Sequence, residues 1–179
     1  MPEIEVRPAI ASDIPNLILL DHNYITNYVW QMVFQSEREE GRSISFRRVR
    51  LPRSIRVEYP RSIQSLATDW TQRSGILVAV LNKRPVGYIS LMLGRLPKTT
   101  WITDLAVAKQ WRRQGIGSVL VLASLEWAEN SGCRYLMLEL QPKNYPTIQM
   151  AQKLGFEFCG YNDLYYQNHE IGIFFQKSW

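Results

Sequence analysis

The stretch from Trp101 to Glu129 constrains the fold of this chain more than any other. A short apolar run of strand length, at 102–108, leads into a basic turn that contains Gly115 and Gly117. Apolar residues then recur at the spacing of one helix face, at positions 116, 119, 120, 123 and 127. Where a helix follows a strand and a glycine turn, its first backbone N–H groups have no partner within the helix and point into the turn. The stretch therefore predicts an anion site, and a phosphate group is the expected ligand.

The glycine spacing excludes two common phosphate-binding motifs. A dinucleotide-binding fingerprint requires a third glycine, and the chain has Leu120 at that position. A Walker loop requires Gly-Lys followed by Ser or Thr, whereas Gly117 is followed by Ser118 and Val119. An ordinary strand-to-helix turn, with glycines only for tightness, is the alternative that the turn by itself leaves open.

The segment 112–117, Arg-x-x-Gly-x-Gly, resembles the acetyl-CoA loop of the GNAT superfamily of N-acetyltransferases, and it follows Leu-Ala-Val at 105–107. A second motif at a matching distance agrees, because Asn144 follows the next apolar run and Gly-Phe at 155–156 ends the helical pattern after it. The resemblance covers residues 76–179 well and the preceding part loosely. It implies an α/β fold with a mixed, mostly antiparallel central sheet, helices on both faces, and acetyl-CoA as the co-substrate.

The resemblance also implies which residues hold acetyl-CoA. The backbone of 105–107 would grip the pantetheine arm and the acetyl carbonyl, the N–H groups of 113–118 would bind the pyrophosphate, and Arg112 would brace the loop. Asn144 would bond the cofactor arm or position the loop after its strand. The predicted cofactor-binding residues are Leu105, Ala106, Val107, Arg112, Arg113, Gln114, Gly115, Ile116, Gly117, Ser118 and Asn144.

Glu139 is the candidate for the general base. Glu139 lies in Leu-Glu-Leu-Gln at 138–141, which resembles the Leu-Glu-Val-Arg segment of ribosomal-protein alanine N-acetyltransferases, whose Glu is the base. Burial in an apolar strand raises the pKa of a carboxyl group, which suits it to accept a proton. Asp104, on the neighbouring strand, is the second catalytic candidate and could share a water with Glu139. A charged residue on the solvated end of a strand is the alternative for Glu139.

The general acid departs from the superfamily pattern. Many members have a Tyr seven residues after the Asn, and this chain has Ala151 there. The substitutes are water, Tyr145, Tyr165 and Tyr166, of which we assign Tyr166. The segments 138–141 and 165–174 also resemble streptothricin acetyltransferases, which modify an antibiotic amine. The predicted function is therefore acetyl transfer, by direct attack, to a primary amine of a small molecule or a protein N-terminus. A non-catalytic acyl-CoA-binding module is the alternative.

The organisation is predicted to be a single domain, residues 1–179, with a basic hairpin insertion at 43–62. Apolar and aromatic residues within 24–33 recur at three-to-four spacing and predict a helix, whose aromatics are candidates for the acceptor wall. Alternation around 44–46 and 55–59 predicts two strands that turn at Pro52-Arg53.

Downstream of this insertion, the pattern predicts a mixed sheet. Short turns make the strands at 76–81, 86–94 and 101–108 antiparallel. The crossover helix at 116–130 requires 101–108 and 135–141 to be parallel. The remaining predicted elements are helices at 63–73 and 146–154 and a terminal hairpin of strands at 158–166 and 170–176.

Composition narrows the classes of function. No apolar run approaches the roughly 20 residues of a membrane span, and the first residues lack the features of a signal peptide, so we expect a cytoplasmic protein. Cys133, Cys159, His22 and His169 each stand alone, so no metal is expected and both thiols are predicted to be buried.

Charge favours an anionic ligand. The net charge is +5, and six arginines crowd the predicted hairpin, either as a solvated strand face or as a cationic lip over the acceptor site. Nucleic acid is not expected, because the arginines come with no recognition-helix or stacking motif. The sequence leaves the oligomeric state open, a homodimer included.

Overall fold

The computed structural model describes residues 4–37 and 41–179. The strands are β1 (Glu5–Pro8), β2 (Tyr24–Glu37), β3 (Gly41–Val57), β4 (Gly75–Leu81), β5 (Arg84–Met92), β6 (Thr99–Val107), β7 (Tyr135–Leu140), β8 (Glu157–Asn162) and β9 (Gly172–Ser178). The helices are α1 (Ile14–Ile18), α2 (Ser65–Asp69), α3 (Ile116–Asn130) and α4 (Tyr145–Lys153).

The central sheet has seven strands in the order β1-β4-β5-β6-β7-β9-β8. All neighbours are antiparallel except β6 and β7, which are parallel and joined by α3. This confirms the predicted mixed, mostly antiparallel sheet. It also confirms the crossover helix at 116–130.

Apolar side chains on the two faces of this sheet form two cores. One core packs α3 and α4 on the sheet and includes Ile89, Ile102, Leu120, Ile148 and Phe175. The other packs α1 and α2 on the opposite face and includes Leu17, Leu66, Val78, Tyr88 and Ala106. Helices therefore cover both faces, as predicted.

The buried face of α3 is turned slightly from the predicted one. Ile116 and Leu120 are buried, but Val119 is 37% exposed and Val121 is buried in its place. The apolar stripe of this helix is wide, so the sequence pattern allowed either rotation. Contact with β4, β5 and β6 selects the observed one.

A β-bulge interrupts β6 in the middle of the sheet. Ser90 of β5 pairs with Asp104 and Leu91 with Ile102, so Thr103 is the extra residue. The bulge changes which face the following side chains occupy, because Ile102 belongs to the core beneath α3 whereas Ala106 belongs to the core beneath α1. Parallel pairing with β7 ends at the same place, at Ile102 and Leu138. The two strands therefore separate beyond the bulge.

The predicted helix at 24–33 is wrong, because this segment lies within β2 and makes up most of it. Its residues satisfy a two-residue as well as a helical period, and they are rich in the β-branched and aromatic types that favour strands. The ladder with β3, which runs from Tyr24–Val57 to Glu37–Gly41, decides between the two.

The predicted turn at Pro52-Arg53 is also wrong. Both residues lie within β3, at an irregularity between the pairs Thr26–Ile55 and Tyr28–Arg50. Proline is tolerated there because a bulge does not require its missing N–H. The two-stranded ribbon of β2 and β3 thus begins well before the predicted insertion at 43–62.

This ribbon packs against the central sheet through aromatic rings. The Trp30 ring centroid lies 5.5 Å from that of Phe175 and 5.9 Å from that of Phe158, and Phe46 lies 5.3 Å from Phe158. One backbone bond adds to this contact, as the Trp30 N–H donates to the Pro142 carbonyl at 2.9 Å. The ribbon is thereby fixed beside the end of β7.

The terminal strands and the cysteines depart partly from expectation. Strand β8 ends at Asn162, so Tyr165 and Tyr166 lie in the connection to β9 rather than in a strand. Cys133 is buried as predicted, but Cys159 is exposed because the edge strand β8 turns it away from the core. Among the helices of the described residues, none is long and apolar enough to cross a membrane.

Candidate active site

A cavity of about 600 Å³ lies where β6 and β7 separate. It brings together most of the predicted site residues from three segments of the chain. Those that line it are Asp104, Leu105, Ala106, Val107, Arg112, Arg113, Gly115, Gly117, Ser118, Glu139, Asn144 and Tyr166. Two predicted residues are not in its lining: Ile116 is buried in the core beneath α3, and the Gln114 side chain donates to the Gln110 carbonyl.

The glycine turn has the backbone that a helix N-terminal site requires. Gly115, the residue that precedes α3, has φ of +86°, a left-handed conformation that glycine adopts without strain. Its carbonyl accepts the N–H of Val119 at 3.0 Å, so the N–H groups of residues 116–118 precede the first helical bond. With the positive end of the 15-residue helix dipole, they make this corner of the cavity favourable for an anion.

Gly117 lies where α3 approaches α4. A Cβ atom at this position would lie 3.3 Å from the Met150 sulfur. A larger side chain would therefore enter the space in front of the helix N-terminus or press on α4.

Arg112 lines the cavity, but its guanidinium is bonded to backbone carbonyls and stabilises the turn. Its guanidinium donates to the carbonyl of Val107 at 2.8 Å, to that of Asn23 at 2.8 Å and to that of Asp21. It thereby joins the end of β6 to the segment before β2. Burial lowers the pKa of Arg112, but three carbonyl acceptors hold the charged side chain in place.

Asn144 caps α4. Its side-chain oxygen accepts the N–H of Thr147 at 3.3 Å, and Pro146 follows in the first turn. Of the two predicted roles, the contact in the structure is the one that positions the loop after β7.

Glu139 is enclosed by positive and hydrogen-bonding groups. Its side chain is 0% exposed, Arg61 donates to one oxygen, and Arg95 donates to the other at 2.7 Å. The Tyr165 hydroxyl donates to that second oxygen at 2.5 Å. The alternative of a solvated strand end is therefore wrong for this residue, because β7 is covered here by side chains from three other segments.

Asp104 is the other buried carboxylate. Burial, and after it the negative charge of Glu139, raises the pKa of Asp104 to about 7. Three donors oppose this effect, since Tyr59 bonds one oxygen while Arg73 at 2.6 Å and Thr103 at 3.1 Å bond the other. Burial thus brings the pKa of this carboxyl group toward neutral pH, against three donors that favour its charged form.

The tyrosines considered as general acids occupy different places. Tyr166 is buried and lines the cavity, and burial raises its pKa above the ordinary range of a phenol. Tyr165 is committed to Glu139, and Tyr145 lies outside the cavity lining with its hydroxyl bonded by Arg48 at 3.2 Å. Tyr166 alone of the three combines a position in the cavity with a protonated hydroxyl at neutral pH.

Several site residues escaped sequence reasoning. Tyr59, Arg61, Arg73 and Arg95 surround the two carboxylates, yet they come from three separate segments with no shared motif. Arg61 is one of the six arginines of the predicted hairpin, and nothing in the sequence distinguishes it from its neighbours. The buried carboxylates themselves were the available signal, because each requires partners.

Comparison with known proteins agrees with this geometry. Residues 30–156 match the sequence profile of the acetyltransferase (GNAT) family. Because the match spans more than half of the chain, the chain belongs to the GNAT family of acetyltransferases.

Two of the matching relatives are acetyltransferases with different named acceptors. Streptothricin acetyltransferase of Streptomyces lavendulae is 38% identical over 66 residues, which are 37% of this chain and 35% of the relative. N-alpha-acetyltransferase 30 of Schizosaccharomyces pombe is 37% identical over 100 residues, which are 54% of this chain and 64% of the relative. The chain thus spans between 35% and 64% of the length of these curated relatives.

A solved structure supports the fold over the whole chain. It is that of a candidate streptothricin acetyltransferase from Bacillus anthracis str. Ames, in complex with acetyl coenzyme A. It aligns with a TM-score of 0.78 at 22% identity and covers 99% of this chain and 100% of that one. The predicted resemblance to streptothricin and ribosomal-protein alanine acetyltransferases is confirmed, since proteins of both names are among the relatives.

Proposed function

We propose that this chain is an acetyl-CoA-dependent N-acetyltransferase that acetylates a primary amine. The observation that supports the proposal is that one cavity is lined by two kinds of group. One is the glycine turn with the helix N-terminus, and the other is the set of titratable side chains Asp104, Glu139 and Tyr166. A backbone anion site beside titratable side chains suits a phosphate-bearing thioester and an amine that must lose a proton. Membership of the GNAT family supports the same activity.

The separation of β6 from β7 exposes backbone groups that can bind the acetyl carbonyl in this reaction. Beyond Ile102, β6 has no ladder partner on the β7 side among the described residues. Apart from the Val107 carbonyl, which Arg112 bonds, that side of Leu105 to Val107 is open to a ligand in the cavity. A main-chain N–H there would stabilise the negative oxygen of the tetrahedral intermediate, and losing such a donor costs about 2.7 to 4 kcal/mol.

Acetyl transfer forms an N–C bond and breaks a C–S bond. The amine attacks the acetyl carbon, gives up a proton to a base, and the departing thiolate takes a proton from an acid. We assign the base to Asp104, because it has one guanidinium partner, Arg73, where Glu139 has two. Burial also raises the pKa of Asp104 to about 7, which suits a group that accepts a proton near neutral pH. We assign the acid to Tyr166. After the transfer, Tyr166 recovers a proton from solvent and Asp104 releases the proton of the amine to solvent, so both groups return to their starting states.

A small-molecule amine is the acceptor that we propose. Tyr24 donates to the Gln141 oxygen at 2.8 Å, and the Gln141 nitrogen donates to Glu170 at 2.5 Å. Lys143 donates to Glu170 at 2.6 Å. These bonds join the start of β2, the end of β7 and the segment before β9. They fix Tyr24 and Gln141 in the lining of the cavity that also contains the two carboxylates. The streptothricin acetyltransferases among the relatives act on an acceptor of this kind by name.

A protein N-terminus is the second candidate. The observation in its favour is the N-alpha-acetyltransferase from Schizosaccharomyces pombe, whose alignment covers more of both chains than that of the streptothricin relative. A peptide acceptor would have to enter past the Tyr24–Gln141–Glu170 contacts.

An acceptor panel tests the proposal. The purified chain is incubated with acetyl-CoA and with streptothricin-type amines, lysine-like amines and peptides with free N-termini, and thiol release is measured. We expect release with at least one small amine and weaker release with peptides. Tight CoA binding by calorimetry without turnover on any amine would contradict the proposal and favour a non-catalytic acyl-CoA-binding module.

The single-domain organisation and the cytoplasmic location stay predictions. A homodimer and the absence of nucleic-acid binding stay predictions as well.

A further inference from the structure

The bulge in β6 creates a backbone group that needs a partner. Thr103 is paired in neither of the described ladders of β6. It is buried, and a buried carbonyl without a donor costs free energy comparable to a lost hydrogen bond. Arg61 meets this need, since its Nη1 donates to the Thr103 carbonyl at 2.8 Å.

The same guanidinium contacts two of the candidate catalytic side chains. Its Nη2 donates to Glu139 on β7, and its carbon atom lies 5.1 Å from the centre of the Tyr166 ring. A guanidinium can do this because its donors form a rigid planar fork whose face also stacks on an aromatic ring. Arg61 therefore spans the gap between the two strands at the point where they separate.

We propose that Arg61 is a positioning residue for acetyl transfer: it bridges the bulge of β6 to Glu139 on β7 and holds the Tyr166 ring over the cavity. By fixing the Thr103 carbonyl it also fixes the backbone that carries Asp104. The inference rests on the proposed function, because it concerns how the assigned base and acid keep their positions.

Arg95 provides a matched comparison within the same cluster. It also pairs with the buried Glu139, at 2.7 Å, and also lies over an aromatic ring, that of Trp101 at 5.1 Å. It is not part of the cavity lining, and its described contacts do not include Thr103 or Tyr166. Both arginines thus bind Glu139, but among the described contacts only Arg61 also contacts Thr103 and Tyr166.

The test compares Arg61→Ala, Arg61→Lys and Arg95→Ala with an acceptor that the parent uses. We expect Arg61→Ala to lower kcat by about 10²-fold, the typical cost of a misplacement of about 1 Å, with an unchanged Kd for CoA. Arg61→Lys should recover little, because an ammonium group cannot reach both strands and the ring. Arg95→Ala should lose less than about tenfold, as for a partly exposed ion pair.

Two further measurements distinguish a positioning role of Arg61 from a role in stabilising the fold alone. Added guanidinium salt, at concentrations that leave the thermal midpoint unchanged, should restore part of the kcat of Arg61→Ala and none of that of Arg95→Ala. The double variant Arg61→Ala with Tyr166→Phe should lose less than the product of the two single losses, because both changes disturb one unit.

The outcomes are distinguishable. If Arg61→Ala fails to fold, Arg61→Lys carries the test through its kcat. Equal losses in the Arg61 and Arg95 variants, or independent losses in the double variant, would overturn the positioning role while the parent remained active. A parent without turnover on any amine would instead remove the proposed function.

Discussion

The two walls of the cavity are built in different ways. The wall proposed for acetyl-CoA comes mainly from one continuous segment, residues 105–118, and presents mainly backbone groups. The wall proposed for the acceptor comes from segments as far apart as Tyr24 and Tyr166 and presents side chains that hold one another. The first wall should thus be sensitive to added bulk or charge, and the second to the loss of single groups.

The largest effect is expected on the acceptor wall, from Asp104→Asn. If Asp104 is the base, the variant should lose about 10²- to 10⁴-fold in kcat. In the parent, kcat/KM should rise with pH through about 7, as the carboxyl ionises, and the variant should lack this rise. A pH–rate profile measures both.

Asp13→Asn is the matched control, since Asp13 is a buried carboxylate paired with Arg7 and is not part of the cavity lining. If kcat/KM of Asp104→Asn still rises with pH as in the parent, the group that titrates is not Asp104.

The same substitution should change how stability depends on pH. Because the pKa of Asp104 is raised from 3.8 to about 7, the folded chain binds more protons than the unfolded chain within this window. Its contribution to the free energy of unfolding therefore falls as pH rises from about 4 to about 7. Denaturant titrations at both ends of the window should show that Asp104→Asn removes this decline.

On the backbone wall, Gly117→Asp should have the next largest effect. A carboxylate a few ångströms from a bound phosphate costs roughly 4 kcal/mol at an intermediate dielectric, or on the order of 10³-fold in the Kd for CoA. Gly117→Asn has almost the same shape without the charge and should lose far less. Calorimetry that finds equal affinities for the two variants would place the phosphate elsewhere.

Arg112 connects the two walls. We expect Arg112→Met to lower the free energy of unfolding more than it lowers kcat. It removes the donors of three carbonyls, those of Val107, Asn23 and Asp21. We expect a loss of about 1–3 kcal/mol in the free energy of unfolding, since partly buried acceptors are left unpaired. Unfolding in denaturant checks this, and a stable variant with lost CoA affinity would show that Arg112 binds the ligand directly.

The smallest effect is expected from Arg53→Ala. Arg53 is exposed on β3, away from the main cavity, in a groove lined by the irregular part of the ribbon. We expect a change within about 0.5 kcal/mol in the free energy of unfolding and unchanged kcat. A clear increase in KM for the acceptor would extend the acceptor wall to the outer ribbon.

The difference between the walls also explains what the sequence could predict. The strand, glycine turn and helix at 101–130 are specified by neighbouring residues, so the spacing of Gly115 and Gly117 was enough to locate them. The helix predicted at 24–33 failed because its apolar residues fit two periods, and only pairing with distant β3 decides between them. Arg61 and Arg95 have no local signal, because their partner Glu139 is 78 and 44 residues away.

The bulge at Thr103 shows that the face on which each later β6 side chain lies depends on the number of residues before it. Each residue added to or removed from a strand exchanges the two faces for everything that follows it. Deletion of the extra residue Thr103 would leave Asp104 opposite Ser90, because it would only remove the bulge. A one-codon deletion after Asp104 would instead exchange the faces of the β6 residues that follow it.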